Sequence, residues 1–74
     1  MHISKLHKGA TMQPHQQRVV DEKTELDSKL EKLNVFIGSL THFGLPELEQ
    51  YRLARQAEAM SQYSRILSER IAAF

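Results

Sequence analysis

An all-α fold, an antiparallel two-helix hairpin with a short N-terminal arm, is predicted by three features of the sequence. Apolar positions follow a 4-3 spacing through Val19, Lys23, Leu26, Leu30, Leu33, Ile37 and Leu40. The same spacing returns through Leu53, Ala57, Met60, Ser64, Leu67, Ile71 and Phe74. Between the two lies a break marked by Gly38, Gly44 and Pro46. A 4-3 repeat lines up one face of a helix as a continuous seam, and a short connection turns the second seam back onto the first.

The first helix is expected over about residues 14–40. Thr11 or Gln13 serves as its entry, because proline at position 14 is tolerated in a first turn, where its missing N–H costs nothing. Val20 and Phe36 widen the seam. Glu25 precedes Lys29 by four residues, the favourable orientation for an ion pair on a helix. In the break, Gly38 and Gly44 can take backbone conformations that end a helix, and Pro46 holds Leu45 extended. Leu40, Phe43 and Leu45 are expected to fold back as a hydrophobic plug over the hairpin end.

The second helix is expected over about residues 46–73. Glu47 and Glu49 complement the dipole in its first turn, and Arg70 does so in its last. Tyr63 and Ile66 sit beside its seam. Each helix reaches roughly 40 Å at 1.5 Å per residue. Residues 1–13 mix His, Lys, Gly and Thr with scattered apolar groups and read as an arm, with one helical turn near Ile3 and Leu6.

Size and composition bound the rest. A chain of 74 residues without cysteine is one domain with a marginal core and no disulfide or thiolate site to staple it. Self-association is the remaining source of stability. Val20, Val35, Phe36, Tyr51, Ile66 and Leu67 cannot all face a single seam, so a homo-oligomer is expected. Ten basic against nine acidic side chains leave no basic stripe for duplex nucleic acid. No run of about 18 apolar residues offers a membrane span. The opening Met1-His2-Ile3-Ser4-Lys5-Leu6 does not read as a signal peptide, so a cytoplasmic protein is expected.

Little in the sequence supports catalysis, and no enzyme and no cofactor is expected. Asp21, Glu22, Glu25, Asp27 and Glu31 alternate with cations around a helix, as on a solvated, ion-paired face. His2, His7, His15 and His42 form no i, i+4 pair, and so no helical zinc site. Lys23 is the unusual residue, because it holds a seam position that the spacing assigns to an apolar group. It either fixes register at some cost in stability or shelters an ammonium for an anion. In a hairpin turning near residue 43 it lies opposite Tyr63 and Ser64, and the three polar groups would make a phosphate subsite. The start of the first helix, Pro14-His15-Gln16-Gln17-Arg18, is a second anion candidate, combining a planar ring, two amides and a guanidinium with unpaired backbone N–H groups.

The stretch from Pro14 through Leu33 resembles the first helix of a widespread family of small tailed-phage proteins, the crAss-like-phage-related helical proteins. Phe36-Ile37, Leu45-Pro46 and the run from Met60 to Ile71 continue the resemblance across about residues 14–74. That group is similar to the phage anti-CBASS sponge proteins, compact helical hexamers that sequester the cyclic oligonucleotides of a bacterial immune system. The resemblance implies a hexameric anti-defence protein that holds cyclic di- or trinucleotides between protomers in the host cytoplasm and cleaves nothing. It further implies a base-stacking ring at His15, where the sponges carry a tyrosine, a phosphate-binding lysine at Lys23 or Lys29, and an arginine at Arg65 or Arg70. With Arg18 and Tyr63 from the reading of the residues themselves, these make up the candidate binding set. The alternative is a helical adaptor or inhibitor that docks on another protein and takes no small ligand.

Overall fold

The computed structural model describes residues 12–74. Helix α1 spans Pro14–Ile37, a single turn α2 spans Leu40–Phe43, and α3 spans Glu47–Ala72. The described residues contain no strand. Of the expected arm only Met12 and Gln13 are described; the helical turn anticipated near Ile3 and Leu6, with His2 and His7, lies outside the described residues.

Antiparallel packing follows from one contact. Lys23 and Ser64 stand at comparable distances from the break along their own helices, and they are hydrogen-bonded at 2.9 Å. Two helices meet in that register only if the chain doubles back. The same register brings Val19 beside Leu67, the two buried apolar side chains among the described residues. Leu26, Leu30, Leu33, Leu53, Ala57, Met60 and Ile71 are half-buried along the seam. The 4-3 repeat therefore places the interface correctly, and the layer between two helices alone is thin.

α1 begins at Pro14 as expected, entered from Gln13, one of the two anticipated residues. Gln13 is its N-cap, and the side chain of Gln16 reaches back to accept the Gln13 backbone N–H at 2.9 Å. The N–H groups of Gln16 and Gln17 both donate to the Gln13 carbonyl. With Pro14 carrying no donor, the cluster of unpaired amides expected here is reduced by the chain itself.

At the other end α1 stops at Ile37 rather than near Leu40. Ser39 turns extended and caps the next helical turn, its hydroxyl accepting from His42 N at 3.3 Å and donating to the Phe36 carbonyl. Serine competes with helix continuation in this way because its side chain offers the backbone a local partner. Gly38 and Gly44 both keep negative φ, so the break does not use the left-handed region open to glycine.

The hydrophobic plug is also built differently. Leu40 is 90% exposed and Phe43 64% exposed. Once α1 ends at Ile37, Leu40 no longer continues the seam. His42 fills the hairpin end instead, buried to 4% exposure and packed edge-on against Phe36 and Phe43. Gln50 closes the turn by donating to the carbonyls of Leu45 and Phe43. Pro46 then caps α3, its carbonyl accepting from Glu49 and Gln50 N–H.

Surplus apolar surface is present, although Val20 and Phe36 of the expected set are half-buried. Val35, Leu48, Tyr51 and Ile66 are between 47% and 70% exposed, whereas Leu67 is fully buried in the seam. No helix among the described residues is long and apolar enough to cross a membrane.

Candidate functional site

Around the middle of the seam, three polar side chains close on one another. Lys23 Nζ donates to Asp27 Oδ2 at 2.7 Å and to Ser64 Oγ at 2.9 Å. Ser64 Oγ in turn donates to Asp27 Oδ1. Ser64 is buried and Lys23 half-buried, so the triad ties α1 to α3 where an apolar layer would otherwise continue. The Lys23 ammonium is thus matched by a carboxylate, and two of its three N–H donors are engaged within the hairpin.

Asp27 was legible only as one of several surface carboxylates. Its signal was its position four residues after Lys23, on the edge of the seam. Among the described residues the ion pairs are Lys23 with Asp27 and Arg52 with Glu49; the pair expected between Glu25 and Lys29 does not form. The Asp27 carboxyl is held below the usual carboxylate range, first by the hydrogen bond from Lys23 and then by that from Ser64.

A carboxylate depressed in this way adds stability above the ordinary aspartate pKa of about 3.9, and the contribution disappears as pH falls through the lowered folded value. The side chain is 44% exposed, which keeps the effect modest. Asp27→Asn is expected to lower the melting temperature at neutral pH, with the two curves converging under acid. Calorimetry from about pH 7 down to about pH 2 checks this, and a difference that stays constant would contradict it.

Handedness sorts the remaining candidates. Both helices are right-handed and run in opposite directions, so the flank one residue before the seam on α1 meets the flank one residue before the seam on α3. On α1 that preceding flank carries His15, Arg18, Glu22, Glu25, Lys29, Lys32 and Phe36; on α3 it carries Glu49, Arg52, Gln56, Tyr63, Ile66 and Arg70. The opposite, following flank carries Val20, Asp27, Glu31 and Asn34 from α1, and Glu47, Glu58, Ser61 and Arg65 from α3. Five of the seven candidate residues, His15, Arg18, Lys29, Tyr63 and Arg70, therefore share one flank. Lys23 lies in the seam, and Arg65 lies on the other side.

Height along the hairpin divides the five further. With Lys23 beside Ser64, Arg18 stands level with the last turns of α3, close to Arg70, and His15 lies one turn nearer the open end. Tyr63 comes next, and Lys29 stands eleven residues beyond Arg18, or about 16 Å further along the axis. The compact set at the open end is therefore His15, Arg18 and Arg70, and Tyr63 stands level with Lys23, between that set and Lys29; all are exposed except the half-buried Lys23. Two guanidiniums beside a planar imidazole and a phenol can clamp a phosphate and stack on a base. Among the described residues no group of three or more His, Cys, Asp or Glu is arranged to hold a metal ion.

The family profile for Sequestin matches residues 13–73, nearly the whole described chain. The chain belongs to the Sequestin family. The match covers both long helices and the break between them. No curated protein and no solved structure matches the chain.

Proposed function

We propose that this Sequestin-family chain is a binding protein that captures cyclic di- or trinucleotides and holds them unaltered. It acts in the host cytoplasm as a phage anti-defence protein that starves an immune effector of its signal. The family's name denotes sequestration, and the resemblance to the anti-CBASS sponges supplies the class of ligand. The observation that carries the reading is the shared flank that bears His15, Arg18 and Arg70 at the open end of the hairpin and Tyr63 further along it.

The chemistry of that flank suits the ligand. Guanidiniums meet phosphate oxygens with paired N–H donors, and their charge does not depend on pH. His15 and Tyr63 offer ring faces to bases, which is recognition by stacking rather than by base-edge reading. One hairpin gives an exposed, open subsite, and a second protomer across it would shield the phosphates from water and salt. The function is therefore that of a homo-oligomer, needing neither membrane nor duplex nucleic acid, and the set contains no nucleophile paired with a base that would cut the ligand.

Thermal-shift and native-mass measurements against a panel of cyclic di- and trinucleotides test the proposal. A shift of several degrees is expected, since ligand at 100 times Kd adds about 2.7 kcal/mol to the folded state. A flat panel on a folded oligomer would overturn it in favour of a helical adaptor.

A further inference from the structure

The hairpin is elongated, 53 × 18 × 18 Å, and leaves Val35 70% and Leu48 67% exposed. Two surfaces on the molecule are complementary in both charge and order. An open groove of about 480 Å³ on the following flank of α1 is lined by Asp27, Leu30, Glu31, Asn34 and Val35. Starting from the turn end, Val35, Glu31 and Asp27 succeed one another every four residues, giving an apolar contact followed by two acids.

The outer surface of α3 carries the matching row. From the same turn end, Leu48, Arg52 and Arg55 follow at spacings of four and three, giving an apolar contact followed by two bases. All three are exposed, Leu48 to 67%. Arg52 is steadied by Glu49 at 3.0 Å and Arg55 lies 5.6 Å over the ring of Tyr51, so both guanidiniums are held on the outer surface. Arginine and tyrosine are the residue types that dominate protein interfaces when desolvated.

We infer that the groove on α1 receives the Leu48–Arg52–Arg55 row of a second copy of this chain. The two hairpins stand side by side with their turns at the same end. Leu48 meets Leu30 and Val35, Arg52 meets Glu31, and Arg55 meets the exposed part of Asp27. Because groove and row are different surfaces, the contact is head-to-tail, and repetition builds a ring where its rotation closes and a filament where it does not. The contact leaves the flank of His15, Arg18, Tyr63 and Arg70 uncovered, so it is separate from the protomer placed across that flank. The inference rests on the self-association of the preceding reading and not on its ligand.

Two substitutions that suit their helices test it, by native mass and sedimentation without nucleotide. Val35→Lys places a cation in the last turn of α1, and Leu48→Asp places a carboxylate in the first turn of α3, both favourable to the helix dipole. Each variant alone is expected to be a folded monomer by circular dichroism and native mass. An equal mixture is expected to give a one-to-one dimer and nothing larger, because the intact row of Val35→Lys can dock in the intact groove of Leu48→Asp. A monomeric wild type, as for a groove that receives another protein, would overturn the inference. So would assembly of Leu48→Asp alone, which would mean groove pairs with groove, or a mixture that stays monomeric. The nucleotide panel on wild type is read separately, so loss of one result leaves the other standing.

Discussion

Leu67→Ala is expected to lower the free energy of unfolding by about 2–5 kcal/mol, the range for deleting a buried leucine side chain. Leu67 is fully buried in the seam, with Val19 at the same height across it. Among the described residues no second core layer surrounds the site, so neighbouring side chains relax along the seam. A chain this short has little stability in reserve, on the order of 3–5 kcal/mol for a single core. The variant is therefore expected to melt near ambient temperature, as followed by circular dichroism on heating. Ile66→Ala, next to it but 47% exposed, serves as the control and is expected to change unfolding far less. Equal losses at the two positions would contradict the register derived for α3.

Arg70→Ala is expected to weaken capture of cyclic nucleotide by on the order of 10–100-fold, the loss of one charge-assisted hydrogen bond to phosphate. Titration calorimetry with a cyclic dinucleotide measures it. Arg70 is an exposed residue in the last turn of α3, so its removal costs the fold no more than part of a favourable dipole interaction. Arg65 makes the comparison sharp, because it is the same residue type on the same helix, facing the opposite flank. Arg65→Ala is expected to leave affinity within about twofold, as for a rim charge that does not touch the ligand. The reverse ranking would move the site to the following flank.

The two seams were readable because 4-3 spacing has one structural meaning once Pro and Gly bound it. The register was readable too, since Lys23 opposite Ser64 follows from doubling the chain back near residue 43. The end of α1 was not, because Leu40 keeps the spacing while Ser39 ends the helix through its own hydroxyl. His42 was hidden for a related reason. A polar residue beside Leu40 and Phe43 reads as the exposed member of the group, and the geometry of the turn buries it instead.

The candidate site was legible as a set of residue types and illegible as a place. Spacing along each helix gives a stripe, but joining stripes across two helices requires their handedness and direction together. That step separates Arg70 from Arg65, and height along the hairpin then separates Lys29 from the open-end set. Lys23 shows the complementary lesson. Its seam position marked it as exceptional, and Asp27 one turn later makes its role as a cross-helix tie intelligible.

Sequestration without chemistry is the central claim, and recovery of the ligand tests it most directly. Wild-type protein would be incubated with a cyclic dinucleotide or trinucleotide that shifts its melting temperature, freed of unbound ligand, and then denatured. The account predicts that the same cyclic nucleotide returns intact and in stoichiometric proportion to a discrete oligomer. A linear or hydrolysed product, or no nucleotide retained by folded protein, would contradict it.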